Sequence, residues 1–274
     1  MTGARAFKAL IFAAGSVGGL SGAAYGLLTG QSRRARTIIG LPRDLPLNAD
    51  GLYFPDGSGP FPPSRGDSLS FAVLGDSLAA GLGAELPDQL PAVRLARGLA
   101  DELDRPVRLV THAISGSRTT DLEAQVDRAL IDPPDLALVI IGGNDVTTRT
   151  SIGMSATLLG RQTTRLANAG ATVVVGTCPD LGIIQPIPQP LRTIASRYSL
   201  SLARAQRRVL DQLGVRAVSI AALLSPEFHA RPHELFSADR FHPNGKGYEF
   251  AANVLLAPLC AAMRSVRVAS WSGV

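Results

Sequence analysis

Cysteine and lysine are nearly missing from this sequence, and aromatic residues make up only 5% of it. The two cysteines, Cys178 and Cys260, lie far apart and beside no other metal-binding side chains, which excludes a small disulfide-stapled fold and a cysteine-based metal cluster. Two buried, unpaired thiols are the expectation. With so few aromatics the core must be aliphatic, built from Leu, Val, Ile and Ala. Charged residues are only 18% against 46% hydrophobic, at a mean hydropathy of +0.18, which excludes a disordered tail and a fibrous repeat. Lys8 and Lys246 are the only lysines among 27 basic residues, and the arginines are scattered apart from Arg33, Arg34 and Arg36. A net charge of +5 spread in this way predicts no nucleic-acid partner. At 274 residues the chain suits one domain of roughly 200 residues with an appendage, because single cores stop growing near about 250 residues.

The stretch from Ala9 to Leu28 holds no charged side chain. Twenty helical residues span about 30 Å, the thickness of a bilayer's hydrocarbon core. Residues 1–30 are therefore expected to be a hydrophobic anchor or signal segment, giving membrane association through 9–28 and a place in, or export to, the cell envelope. A glycine-rich helix packing on its own domain stays open as the alternative. Gly18, Gly22, Gly26 and Gly30 recur every fourth residue, with Gly15 and Gly19 as a further pair, so a ridge for helix self-association is possible on spacing. Residues 31–68 are rich in proline and glycine and read as a linker or extended arm.

From Leu69 onward, short apolar runs alternate with amphipathic stretches. Phe71–Leu74, Val107–Val110, Leu136–Ile141, Thr172–Val175 and Val215–Ile220 read as strands buried on both faces. Leu90–Leu103, Thr120–Leu130, Ser155–Ala169, Leu191–Leu213 and Gly245–Met263 read as helices. The alternation predicts a three-layer α/β sandwich with a five-stranded parallel sheet over 69–264, followed by a tail at 265–274. Chemistry in such sheets gathers beyond the carboxyl ends of the strands. There the sequence places Gly75-Asp76-Ser77-Leu78, Ile114-Ser115-Gly116-Ser117 and Gly142-Gly143-Asn144-Asp145, with Asp239-Arg240-Phe241-His242-Pro243 before the last helix.

These four blocks resemble those of the SGNH, or GDSL-type, hydrolases, in the same order and over roughly Leu69 to Met263. The resemblance implies a flavodoxin-like strand order and a serine esterase, or lipase-like, activity on acyl esters of small molecules or lipids, with no cofactor. It implies Ser77 as nucleophile, His242 as base and Asp239 as its acid. It also implies an oxyanion hole from the N–H groups of Ser77 and Gly116 and the amide of Asn144. An acyltransferase or a carbohydrate O-deacetylase would use the same site; a non-catalytic, membrane-tethered binding module with a dead site is the second alternative, and the intact set of Ser77, Gly116, Asn144, Asp239 and His242 argues against it. A second GDSL string, Gly66-Asp67-Ser68-Leu69, precedes the first strand at the wrong edge of the sheet, which demotes Ser68. Position 79 is alanine, so the Gly-x-Ser-x-Gly elbow of the standard α/β-hydrolases is not met.

Asp76 and Asp145 are expected to cap or hold loops, and His112 to satisfy a strand-end hydrogen bond. His229 and His233, beside Glu227 and Glu234, are separated by Pro232 and lack a third ligand, so no metal is expected. The apolar, proline-broken stretch Asp180–Pro190 is a candidate wall or lid of an acyl pocket.

Overall fold

The computed structural model describes residues 24–40, 46–62 and 66–271, with backbone only beyond 265. Residues 24–39 form helix α1. After it come β1 (Gly51–Tyr53), β2 (Leu69–Gly75), α2 (Ser77–Ala80), α3 (Pro91–Leu103), β3 (Val107–Thr111), α4 (Leu122–Ala129) and β4 (Leu136–Ile140). The second half holds α5 (Gly143–Thr148), α6 (Ile152–Asn168), β5 (Thr172–Gly176), α7 (Leu191–Gln212), β6 (Arg216–Val218), α8 (Ile220–Ala230), α9 (Pro232–Leu235) and α10 (Gly245–Trp271).

The strands order as β1-β3-β2-β4-β5-β6. The last five are parallel neighbours in the flavodoxin-like sequence, with Phe71 opposite Leu109 and Leu136 in adjacent ladders. Period-two alternation splits the central strands between two cores. Phe71, Val73, Leu138 and Ile140 face the layer that includes α3, α8 and α10, whereas Ala72, Leu74, Ala137 and Val139 face α4, α6 and α7. Two-sided burial is why the strands read as unbroken apolar runs.

The sheet corrects the five-stranded, purely parallel expectation: it is mixed, with β1 antiparallel to β3 at the edge. The supposed extended arm supplies that strand. Leu52 and Tyr53 are both buried, and the Pro/Gly segment folds back so that Leu52 and Phe61 exchange backbone hydrogen bonds of 2.9 and 3.0 Å. The proline-rich composition hid three residues that needed only a free sheet edge. Two further differences concern helices. The run read as a strand to Ile220 ends at Val218, because the Ser219 hydroxyl accepts the Ala222 N–H at 3.4 Å and starts α8. Helix α10 continues to Trp271, through most of the residues read as a tail.

Helix α1 rests on the body through buried Ala35 and through Gln31, whose side chain donates to the Gln189 carbonyl and accepts the Leu191 N–H. Among the described residues no helix is long and apolar enough to cross a membrane. Residues 9–23 of the charge-free run, with Gly15, Gly18, Gly19 and Gly22, lie outside the described residues. Of the glycine ridge, Gly26 and Gly30 are described, and both face open space. Cys178 and Cys260 are free and buried.

Candidate active site

Strand β2 ends on a glycine for a steric reason. Gly75 has φ +138°, and a Cβ there would sit 1.8 Å from the Ile140 carbonyl oxygen of β4. Only glycine lets the chain leave the sheet at this point. Asp76 then caps α2, its Oδ1 accepting the Leu78 N–H at 3.0 Å, so Ser77 stands as the first helical residue at the carboxyl edge of the sheet.

From the far end of the chain, the loop before α10 brings His242 to the same point. Its Nε2 lies 2.9 Å from Ser77 Oγ, and its Nδ1 lies 2.7 Å from Asp239 Oδ2. The other Asp239 oxygen accepts the Ser237 hydroxyl at 2.8 Å and the Phe241 and His242 N–H groups at 2.8 and 2.9 Å. Burial pushes the Asp239 carboxyl up, but the bonds from His242 and Phe241 outweigh it and hold the group down at about 2. It is therefore a carboxylate at neutral pH, bonded on both oxygens. Asn244 staples the loop behind it, donating to the carbonyls of Glu234 (2.8 Å) and Phe236 (3.1 Å).

Asn144 is on α5, directly beyond β4, and lines the cleft with Ser77 and His242. Its amide donates to the Ser117 carbonyl at 3.0 Å, which leaves one N–H free for a second acceptor. Gly116 is not in that cleft; it lines an adjoining open depression with Ser117. Its φ of +86° makes glycine the fitting residue for conformational reasons, in addition to close approach.

Asp145 is fully buried behind Asn144, where it accepts the N–H and hydroxyl of Thr119 (3.0 and 3.1 Å) and the hydroxyl of Ser155 (3.0 Å). It ties the Gly116 loop to α5 and α6. Asp76, equally buried, is raised by desolvation to about 6, against the Leu78 N–H and the nearby His242 that favour its charge.

The cleft itself is narrow, about 80 Å³, and mostly apolar. Leu181, Ile183 and Ile184 from the Asp180–Pro190 stretch form one wall, and Ile220, Leu224 and Phe228 of α8 another. That stretch is a wall here. Phe241 meets the His242 ring edge-on at a centroid distance of 4.8 Å.

Other candidate residues stand elsewhere. Ser68 precedes β2, the whole strand away from Ser77, or roughly 23 Å at 3.3 Å per residue. Glu227 and Glu234 both pair with Arg231, at 3.0 and 3.6 Å. For His112 it is the backbone N–H that closes the strand end, donating to the Val73 carbonyl at 2.8 Å. Sequence reasoning missed α8 as a cleft wall, and it missed Gln125, Ser117 and Thr119 as groups that hold the loops. A polar residue at 125, on a helix face otherwise made of Leu122, Val126 and Ala129, was the available signal for Gln125.

An α/β sandwich that brings a serine at a strand end together with a histidine and a carboxylate from the loop before the last helix has the architecture of a hydrolase that acts on acyl groups. Comparison makes this specific. Residues 73–250 match the GDSL-like Lipase/Acylhydrolase family, and the chain belongs to that family. It is 42% identical over 241 residues to a GDSL-like esterase of Mycobacterium tuberculosis, covering 86% of this chain and 76% of that protein. The fold is shared with a lipase/acylhydrolase from Enterococcus faecalis (TM-score 0.55, 17% identity, 70% of this chain and 96% of that one). It is shared too with an acetyl-xylooligosaccharide esterase from Geobacillus (TM-score 0.57, 18% identity, 71% and 95%). The protein is a carboxylic ester hydrolase.

Proposed function

We propose that this enzyme cleaves esters of short acyl groups through an acyl-Ser77 intermediate. The observation that carries the reading is the unbroken line from Ser77 Oγ through both ring nitrogens of His242 to Asp239, at 2.9 and 2.7 Å. A serine hydroxyl is a weak nucleophile until a base takes its proton. With Nδ1–H held by the ionised Asp239, the lone pair of His242 lies on Nε2, facing Ser77 Oγ. As Oγ attacks the ester carbonyl, Nε2 takes the hydroxyl proton and Asp239 stabilises the resulting imidazolium. His242 then gives that proton to the departing alcohol. Water, deprotonated by the same nitrogen, attacks the acyl-serine, and His242 returns that proton to Ser77 Oγ as the acid is released.

Charge builds on the carbonyl oxygen in both steps. The Ser77 N–H at the start of α2, the free amide N–H of Asn144 and the Gly116 N–H are the donors we assign to it. Asn144 is supported by its place in the cleft beside Ser77. Gly116 is supported by Asn144's bond to the next residue's carbonyl.

The acyl size follows from the cleft. At about 80 Å³ the enclosed part of the cleft is of a size with acetyl to butanoyl groups, the acyl class we assign to it. Leu224, 7% exposed, closes the apolar wall. Leu224→Ala is expected to raise turnover of p-nitrophenyl octanoate relative to the acetate by about tenfold or more, since each methylene admitted to a pocket is worth about 10–200-fold in discrimination. An unchanged ratio in a folded variant removes Leu224 from the acyl wall and the size argument with it.

We also propose that the enzyme works at a membrane surface, anchored or exported through residues 9–28. The support is the charge-free length of that run. Removing residues 1–23, which leaves α1 in place, should move the protein from the membrane fraction to the supernatant with activity retained. Recovery of the intact chain in the supernatant alone would count against attachment.

A further inference from the structure

Gln125 is a buried amide on the apolar face of α4, with none of its surface exposed. Such a group is costly unless all its polar atoms find partners. Its partners all belong to the site. Oε1 accepts the Gly75 N–H at 2.8 Å, while Nε2 donates to the Gly75 carbonyl at 2.9 Å and to the Ser117 hydroxyl at 3.0 Å. Gly75 is where β2 leaves the sheet, two residues before Ser77, so one side chain holds both backbone groups of that exit. Ser117 follows Gly116 directly, and the Ser117 carbonyl is the acceptor that orients Asn144 at 3.0 Å. The Gly75 carbonyl also accepts the Ile114 N–H at 3.1 Å, which draws the Gly116 loop to the same point. Gln125 thus joins directly the two chain segments that carry Ser77 and Gly116, and through Ser117 it is linked to Asn144, although it reaches none of the reacting atoms.

We propose that Gln125 is a positioning residue for the oxyanion hole, fixing the relative places of its three donors. This rests on the assignment of Ser77, Gly116 and Asn144 as those donors. Stabilisation of a developing charge depends on donors already in place, and a misplacement of about 1 Å can cost about 10² in rate. Packing alone would make Gln125 a residue whose loss lowers stability; positioning makes it one whose loss lowers kcat.

The test uses Gln125→Met, which keeps length and removes every hydrogen bond, and Gln125→Glu, which keeps the acceptor for Gly75 N–H and, as a neutral buried carboxyl, only one of the two donors. Each is compared with wild type for kcat and KM on p-nitrophenyl acetate, for Tm, and for inhibition by an alkyl trifluoromethyl ketone, whose serine adduct carries an oxyanion. The expected result is a fall in kcat of about 10²-fold with KM changed less than about twofold, and ketone inhibition weakened in step with kcat. Asn144→Ala alone should lose about 10²–10³-fold in kcat. Combined with Gln125→Met it should lose little more than Asn144→Ala alone, because groups acting as one unit are not additive. Near-normal kcat in the folded Gln125 variants beside an impaired Asn144→Ala overturns this inference alone, as do losses that multiply in the double variant. Normal turnover by Asn144→Ala overturns the donor assignment itself. Should Gln125→Met not fold, Gln125→Glu gives the same reading with its shape and all but one of the bonds retained.

Discussion

Replacing Ser77 with alanine should lower kcat for p-nitrophenyl acetate by at least about 10⁴-fold, and by as much as about 10⁶-fold, with a folded protein left behind. The size follows from the work of one oxygen atom. Without it no acyl-enzyme forms, and what remains is whatever catalysis water and the donors supply alone. The fold should tolerate the change because, among the described residues, the Ser77 hydroxyl bonds only to His242, whereas Asp76, which caps α2, and Gly75, which lets the chain turn, are untouched. His242→Ala should lose a comparable amount. The double variant should be little worse than either, since hydroxyl and imidazole act as a unit. Ser68→Ala is the internal control. It alters the other GDSL string, at the opposite end of β2, and should leave kcat within about twofold. The decisive readouts are turnover and labelling by a fluorophosphonate, which should be lost in Ser77→Ala and kept in Ser68→Ala. More than about one part in a hundred of wild-type kcat in Ser77→Ala would place the nucleophile elsewhere.

How far the sequence could be read depends on where each signal is written. The central strands β2, β4 and β5 were legible because they are buried on both faces, so residues such as Leu136–Ile140 carry no polar interruption. The sequence blocks around Ser77, Gly116, Asn144 and His242 were legible because a parallel sheet sends its strand ends to one side, and the same logic separated Ser77 from Ser68. Strand β1 was not legible. Three residues among prolines and glycines have no periodicity, and what makes Leu52 and Tyr53 a strand is the unpaired edge of β3. Helix α8 was hidden by the continuity of hydrophobicity across Ser219, whose capping role shows only when its hydroxyl meets the Ala222 N–H. Pro226 inside it further weakened the helical pattern. The Gly116 loop shows a third limit. Sequence gave the residue, but not that it borders a depression of its own, joined to the cleft through Ser117. Contacts of that kind, like those of Gln125, depend on which partners the fold supplies.

Asp239→Asn should lower kcat by about 10⁴-fold while the loop keeps its shape, and the reason is the position of one proton. The loop-holding oxygen, Oδ1, can be retained in the variant, still accepting the Ser237 hydroxyl and the Phe241 and His242 N–H groups. The amide nitrogen then faces His242 Nδ1 as a donor. That forces the ring to carry its own proton on Nε2, toward Ser77, where a lone pair is needed. KM should change little, because no substrate contact is lost. The same substitution has a signature in stability. In the fold Asp239 titrates at about 2, below its ordinary 3.8, so its charge stabilises the protein above about pH 4, and that contribution is lost as pH falls toward 2. For a side chain that is 27% exposed, the shift corresponds to about 2 kcal/mol at neutral pH. Asp76 works in the opposite sense. Raised to about 6, its neutral form favours the fold below about pH 4, and that contribution is lost as the pH rises from about 4 to about 6. Denaturant unfolding should therefore show wild type more stable than Asp239→Asn at pH 7, with the gap closing between pH 4 and 2 rather than near pH 6. A variant that unfolds like wild type at pH 7 and turns over at more than about a tenth of its rate would mean that His242 does not depend on Asp239 for its tautomer.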